Sequence, residues 1–230
     1  MATEVKNRKS VQEALSLEYN ASMYKSKPFF SFFKRLFDIV SSFLGIVILS
    51  PIFIIIVLLK LIIDHQAPIY AHKRIGKNGK EFKMLKFQSM RKDDRPLEEI
   101  LTPEQLEEWR TEYKVTNDPR VTKLGKFLRK TSLDELPQLF NIFTGQLAVV
   151  GYRAIVLKEL QEKYSPEEQE LLLKTKPGLT GFWTSHGRSD VPYNERKKME
   201  LYYCYKRSFW LDVRIVWHTF FRLFKSGEAK

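Results

Sequence analysis

Residues 29–63 read FFSFFKRLFDIVSSFLGIVILSPIFIIIVLLKLII, and this stretch decides how the rest of the chain is organised. It exceeds the about 20 apolar residues that a helix needs to cross the hydrocarbon core of a bilayer. Two features set it apart from a simple span. Ser50 and Pro51 fall near its middle, where proline removes a backbone hydrogen bond and a serine hydroxyl can satisfy the freed carbonyl, a combination that bends a helix. Both flanks are also basic, with Lys25, Lys27, Lys34 and Arg35 before, and Lys73, Arg74, Lys77 and Lys80 after. Positive residues mark the cytoplasmic side of a membrane, so the charge pattern predicts a bent, re-entrant helix that enters and leaves through one face. A proline-kinked spanning helix is the alternative.

Outward from this segment the composition changes on both sides. Residues 1–28 mix Lys, Glu, Ser and Asn without a clear period and predict a mobile arm or a weak surface helix. Residues 65–230 carry enough apolar sequence for one sizeable core. The expected organisation is thus an arm at 1–28, a re-entrant membrane helix at 29–64 and one further domain at 65–230. Lys and Arg number 39 against 27 Asp and Glu, a net charge of +12, which calls for anionic partners: phosphorylated small molecules, acidic lipids or nucleic acid. Cys204 is the single cysteine, so no disulfide closes within the chain, and the four histidines show no metal-ligand spacing.

Beyond the membrane segment, IYAHKR and EFKMLKF flank Gly76-Lys77-Asn78-Gly79, and Asn-Gly between two such runs predicts a β-hairpin. Thr102-Pro103-Glu104-Gln105 opens a helix with a cap, a proline in the first turn and a capping-box glutamine. The basic run Arg120, Lys123, Lys126, Arg129, Lys130 then leads into residues 130–143, KTSLDELPQLFNIF. Leu136, Leu139, Phe140 and Phe143 recur at helical spacing, with Asp134 and Glu135 at the head of the stripe. Capping by Asp134 keeps Pro137 within the first turn and is preferred to capping by Ser132; either places both carboxylates at the positive end of a helix. Further on, QLAVVG (146–151) reads as a short strand or buried turn and GLTGFWTSHGR (178–188) as a hydroxyl-rich loop. Residues 201–224 (LYYCYKRSFWLDVRIVWHTFFRLF) fit either an interfacial aromatic helix or a buried helix closing the core.

These segments together resemble the bacterial sugar transferases of the monotopic polyprenyl-phosphate phosphoglycosyl (glycosyl-1-phosphate) transferase family. The resemblance runs from about Lys34 to Phe224. It is carried by KRLFDIV with Ser50-Pro51, RIGKNGKEFKMLKF, VTKLGKFLRKTSLDELPQLFNIFTG, PGLTG, GRSD and LYY with FWLDVRIV. It implies an α+β, mostly helical enzyme with a small hairpin, held at the cytoplasmic face of a bacterial cell membrane by a re-entrant helix and interfacial amphipathic helices. Its implied reaction moves a sugar 1-phosphate from a UDP-sugar to polyprenyl phosphate at the start of glycan assembly.

By the same resemblance Asp134 is the nucleophile and Glu135 joins in holding Mg²⁺, while Lys86, Arg129, Arg153 and Arg188 contact phosphate or nucleotide. Ser50 and Pro51 match the family's membrane-helix break. Anionic lipids are expected neighbours and nucleic acid is not expected as a partner. Three stretches depart from the family pattern: Gln88-Ser89-Met90 where relatives carry Arg-Thr-Met or Lys-Thr-Met, Tyr152-Arg153-Ala154 where they carry Pro-Arg-Pro, and Thr184-Ser185-His186 where most have Gln-Val. All fall where the sugar donor is expected, and a membrane-anchored binding protein with weakened catalysis is the competing expectation.

Overall fold

The computed structural model describes residues 2–93, 95–112, 115–186 and 191–225. In chain order it contains α1 (Ala2–Ser16), α2 (Pro28–Ile62), β1 (Ile69–Ile75), β2 (Glu81–Phe87), α3 (Leu97–Ile100), α4 (Pro103–Glu112), α5 (Lys123–Lys130) and α6 (Gln138–Thr144). There follow β3 (Ala148–Val150), β4 (Tyr152–Arg153), α7 (Leu157–Lys163), α8 (Pro166–Leu173), β5 (Pro177–Thr180), α9 (Phe182–His186), α10 (Tyr193–Lys206) and α11 (Phe209–Lys225). Helices predominate, as the sequence predicts. The chain packs as two compact units, one holding residues up to Ile48, Ala71–Met84 and the chain from Gln138 onward, the other holding Leu49–Tyr70 and Leu85–Pro137. The division of α2 falls beside Ser50 and Pro51.

Helix α2 runs 35 residues with Pro51 inside it, and only 11% of its most apolar 18-residue window is buried. A core helix of a water-soluble domain would hide that surface, so the exposed face calls for non-aqueous surroundings. Its first turns are anchored within the first unit. Lys34 Nζ pairs with Asp212 Oδ2 at 2.6 Å, Arg35 donates to the carbonyls of Ile142 and Phe143 at 2.7 Å each, and buried Asp38 accepts from the Val149 N–H at 2.9 Å. Two of the cations in the basic flank therefore serve the protein's own frame.

The hairpin forms where Asn-Gly predicts it. A single 3₁₀ turn, Lys77–Gly79, joins β1 to β2, and Asn78 (φ 59°) and Gly79 (φ 74°) supply the left-handed residues the reversal requires. The Thr102–Gln105 capping box is reciprocal, with the Gln105 N–H donating to Thr102 Oγ1 at 3.3 Å and the Thr102 N–H to Gln105 Oε1 at 3.2 Å. Residues 2–16, within the stretch expected to be a mobile arm or weak surface helix, form a helix whose later part is held down. Ala14 is fully buried, Tyr19 joins the same cluster, and Lys198 Nζ donates to the Leu15 carbonyl at 2.7 Å.

The core of the first unit gathers Val150, Tyr152 and Ile155 with Leu171, Leu172, Phe182 and the α10 residues Leu201–Cys204. At its centre lies a three-stranded parallel sheet, order β3-β5-β4; β3 lies within the stretch 146–151 read as a short strand or buried turn, whereas local sequence patterns do not predict β4 and β5. β5 falls where Pro-Gly signals a turn and a loop is expected. It is a strand because two consecutive pieces of chain clasp it: Ala148 and Arg153 both register on Gly178. Only glycine allows that approach, since a Cβ on Gly178 would lie 2.0 Å from the Gly151 nitrogen. Gly178→Ala is expected to destabilise the protein by about 3 kcal/mol or more, read by thermal unfolding in detergent; an unchanged melt would mean that the strand yields freely.

The aromatic C-terminal stretch divides between its two readings. α10 is the buried helix, whereas α11, separated from it at Arg207 and Ser208, exposes Trp210, Val213, Trp217, Phe220 and Phe221 along one stripe and buries Leu211 and Ile215 opposite.

Candidate active site

The second unit assembles Lys86, Ser89, Arg129, Asp134 and Glu135. Its core is small: Ile56 of α2, Phe87 of β2 and Leu128 of α5, with Phe53, Val57, Leu124, Leu133 and Leu136 packed around them. These apolar residues fix β2 and α5 against α2. They also orient the polar ones, because Lys86 precedes Phe87, Arg129 follows Leu128, and the two carboxylates lie between Leu133 and Leu136.

The carboxylates do not begin a helix. Ser132 adopts a left-handed conformation (φ 58°) and makes no side-chain cap; Leu133–Glu135 form one 3₁₀ turn, and α6 starts only at Gln138. The expected N-cap at Asp134 is therefore corrected. Pro137 has no N–H to return to the Leu133 carbonyl, so the turn tightens, with N–H to O bonds from Glu135 to Ser132 and from Leu136 to Leu133 at 3.2 Å each. Neither carboxylate sits on an α-helical N-terminus, and charge compensation falls to the cations.

Asp134 is 9% exposed. Burial pushes its carboxyl up to about 6 from the usual 3.8; Lys86 and Arg129 pull it down, and Glu135 adds to the rise. Glu135 is more open and accepts from Lys86 Nζ at 2.8 Å, the side chains being 28% exposed for the lysine and 38% for the glutamate. One lysine thus faces both carboxylates, as a partner of Glu135 and as the strongest charge favouring the Asp134 anion. The arrangement is a buried, poorly solvated carboxylate between two cations, suited to attack on an electrophile that brings its own negative charge.

Arg129 is aimed by Ser89, whose Oγ accepts from its Nε at 2.9 Å. In the sequence Ser89 stands out only as a departure from the family pattern. The structure points to it through Gly125: a Cβ there would lie 1.9 Å from the Ser89 carbonyl oxygen, so α5 presses directly on residue 89. Gln88, the other change in that stretch, turns its Nε2 to the Met90 carbonyl at 2.6 Å.

Arg153 belongs to the first unit. Its Nη1 pairs with buried Glu159 Oε1 at 2.6 Å, and Tyr193 donates to the same oxygen at 3.1 Å. Tyr152 is a core ring at 1% exposure. Thr184 and Ser185 belong to α9 rather than to an open loop. Gly181 N–H donates to Thr184 Oγ1 at 2.7 Å, Ser185 Oγ donates to the Phe182 carbonyl at 2.8 Å, and the His186 ring stacks on Phe182 at 4.1 Å. Arg188 lies outside the described residues.

Comparison with known proteins identifies the family. A family model described as bacterial sugar transferase matches residues 29–226. The exopolysaccharide production protein ExoY of Rhizobium meliloti is 44% identical over 81% of this chain and 83% of its own length. The UDP-galactose-lipid carrier transferase of Erwinia amylovora is 41% identical over 82% of this chain and 39% of its own. The undecaprenyl-phosphate galactose phosphotransferase of Salmonella typhimurium is 42% identical over 82% and 40%. The chain thus spans about two fifths of the Erwinia and Salmonella proteins and most of ExoY. With the family model matched from the start of α2 to the end of the described chain, the chain belongs to the bacterial sugar transferases.

Proposed function

We propose that the chain transfers a sugar 1-phosphate from a UDP-hexose to polyprenyl (undecaprenyl) phosphate through a covalent phosphosugar on Asp134, as the first step in assembling an exopolysaccharide, a capsule or another glycan. The observation that carries this reading is Asp134 itself: buried, raised to about 6, and faced by Lys86 and Arg129. In the first step an Asp134 carboxylate oxygen bonds to the β-phosphorus, the bond from that phosphorus to the bridging oxygen breaks, and UMP leaves with the electron pair. In the second, an oxygen of polyprenyl phosphate attacks the same phosphorus, the acyl-phosphate bond breaks, and the lipid diphosphosugar departs from a restored carboxylate. Lys86 and Arg129 offset the charge of the diphosphate. The printed names of the Erwinia and Salmonella relatives, with their UDP-galactose and undecaprenyl phosphate, support this choice of donor and acceptor.

Glu135 fits a role in holding Mg²⁺. Lys86 takes its Oε1, while its Oε2 has no partner among the described residues. Mg²⁺ takes one or two protein carboxylates together with substrate phosphates, so a single glutamate suffices for that role. When bound, Mg²⁺ supplies positive charge at the diphosphate. Release of UMP is expected from at least one UDP-hexose in the presence of polyprenyl phosphate and Mg²⁺, and is expected to stop on adding EDTA. Silence with every UDP-sugar would overturn the enzymatic reading.

In the same reading α2 is re-entrant at Ser50 and Pro51, the aromatic stripe of α11 lies in the interface beside anionic lipids, and the site faces the cytoplasm. The basic residues on both flanks of α2 support this topology. Reporter tags placed before Pro28 and after Asp64 are expected to label from the cytoplasmic side only; labelling of the N-terminal tag from outside would establish a full span.

A further inference from the structure

Lys60 interrupts a run that carries no other charge from Ile39 to Ile63, and a charge in such a helix is costly unless it is partnered. It is fully buried within a helix whose other side chains are largely exposed. Its partner is Asp64, four residues on and just past the end of α2, with a side chain 8% exposed. Asp64 Oδ2 also accepts from Thr122 Oγ1 at 2.9 Å. Thr122 is the N-cap of α5, its Oγ1 accepting from the Gly125 N–H at 2.9 Å. A hydroxyl has one proton, so donating it to Asp64 turns the oxygen's lone pairs toward Gly125. The carboxylate therefore sets the direction of the cap.

From that cap, α5 has little slack. Thr122 N–H donates to the Ser89 carbonyl at 3.2 Å, Gly125 leaves no room for a Cβ against the same carbonyl, and Arg129 reaches Ser89 Oγ. A buried ion pair adds little net stability over apolar packing of similar size, so its presence here points to geometry rather than strength.

We propose that Lys60 and Asp64 are positioning residues for Arg129: the pair holds the N-cap of α5 and so aims the guanidinium, making catalysis depend on how the last turn of the membrane helix is seated. The catalytic part of this inference rests on the reading of Asp134 given above; the placement of α5 does not.

The test uses the full chain in lipid nanodiscs. The double variant Lys60→Met with Asp64→Leu severs the link without leaving a buried charge unpaired; Thr122→Val removes the hydroxyl and Thr122→Ser restores it. Amide hydrogen exchange across residues 123–130 is expected to quicken about tenfold in the double variant and in Thr122→Val, and to return close to wild type in Thr122→Ser. The kcat/KM for UMP release is expected to fall about tenfold in the same two variants, with no further loss when they are combined with Arg129→Ala. Unchanged exchange in α5, or losses that multiply in the Arg129→Ala background, would overturn the proposal. Wild-type protein that releases no UMP would count against the enzymatic reading, leaving the exchange measurement to decide the placement of α5. If the double variant does not fold, the Thr122 pair carries both measurements.

Discussion

Asp134→Asn is expected to abolish UMP release and, at the same time, to make the protein more stable at neutral pH. The activity loss is on the order of 10⁴-fold or more, since a nucleophile that forms a covalent intermediate has no substitute. The stability gain follows from burial. The native carboxyl ionises near 6 and the unfolded one near 3.8, so the native state binds the proton more tightly. Its contribution to stability is fully present below pH 3.8 and is lost as the pH rises through 6. At pH 7.5 the wild type therefore carries a penalty of up to about 3 kcal/mol, from roughly 1.4 kcal/mol for each tenfold gain in proton affinity on folding. Asparagine keeps the shape and removes the charge. With both proteins melted in EDTA, the asparagine variant is expected to unfold at the higher temperature at pH 7.5, the gap narrowing toward pH 4. A variant less stable than wild type at pH 7.5 would mean that Asp134 serves the fold rather than the reaction. Near-normal UMP release would refute the covalent route.

Lys86→Met is expected to have the second largest effect, and its pH dependence separates two roles. Lys86 is the strongest charge holding Asp134 in its ionised form, and it also pairs with Glu135. Removing it is expected to lower kcat/KM about 100-fold at neutral pH. If part of that loss reflects an unionised nucleophile, the acid limb of the pH–rate profile, expected near 6 in the wild type, moves to higher pH. The ratio of wild type to variant then shrinks as the pH is raised from about 6 to about 8. Profiles that run parallel would assign Lys86 to the substrate's phosphates alone.

Much of this molecule is legible from local chemistry. The hairpin follows from Asn78-Gly79, the start of α4 from Thr102 and Gln105, and α2 from its length and composition. In each case a few adjacent residues hold enough information. The misses have another origin. β5, with the sequence Pro-Gly-Leu-Thr, has low intrinsic strand preference and becomes a strand only because β3 and β4 flank it. A capping pattern misplaces the head of α6 because the left-handed Ser132 and the following 3₁₀ turn absorb the residues that the pattern assigns to a helix. Among the candidate residues, sequence singles out the Asp134–Glu135 pair by its place behind a run of cations and, through the family resemblance, Lys86, Arg129, Arg153 and Arg188, of which Arg153 is held by Glu159 in the first unit. It does not point to Ser89, whose role is to meet an arginine 40 positions away, and single-sequence periodicity carries no distance of that kind.

The clasp of β3 and β4 around β5 has a consequence for anyone exchanging segments among relatives. A single residue, Gly151, separates the strand on one side of β5 from the strand on the other, so the peptide there has no spare length. Adding or deleting one residue at this seam would turn Arg153 to the opposite side of the sheet and away from Glu159. Chimaeras should therefore be spliced outside residues 148–153, and length variation among natural homologues is expected to be absent from that hexapeptide even where its side chains differ.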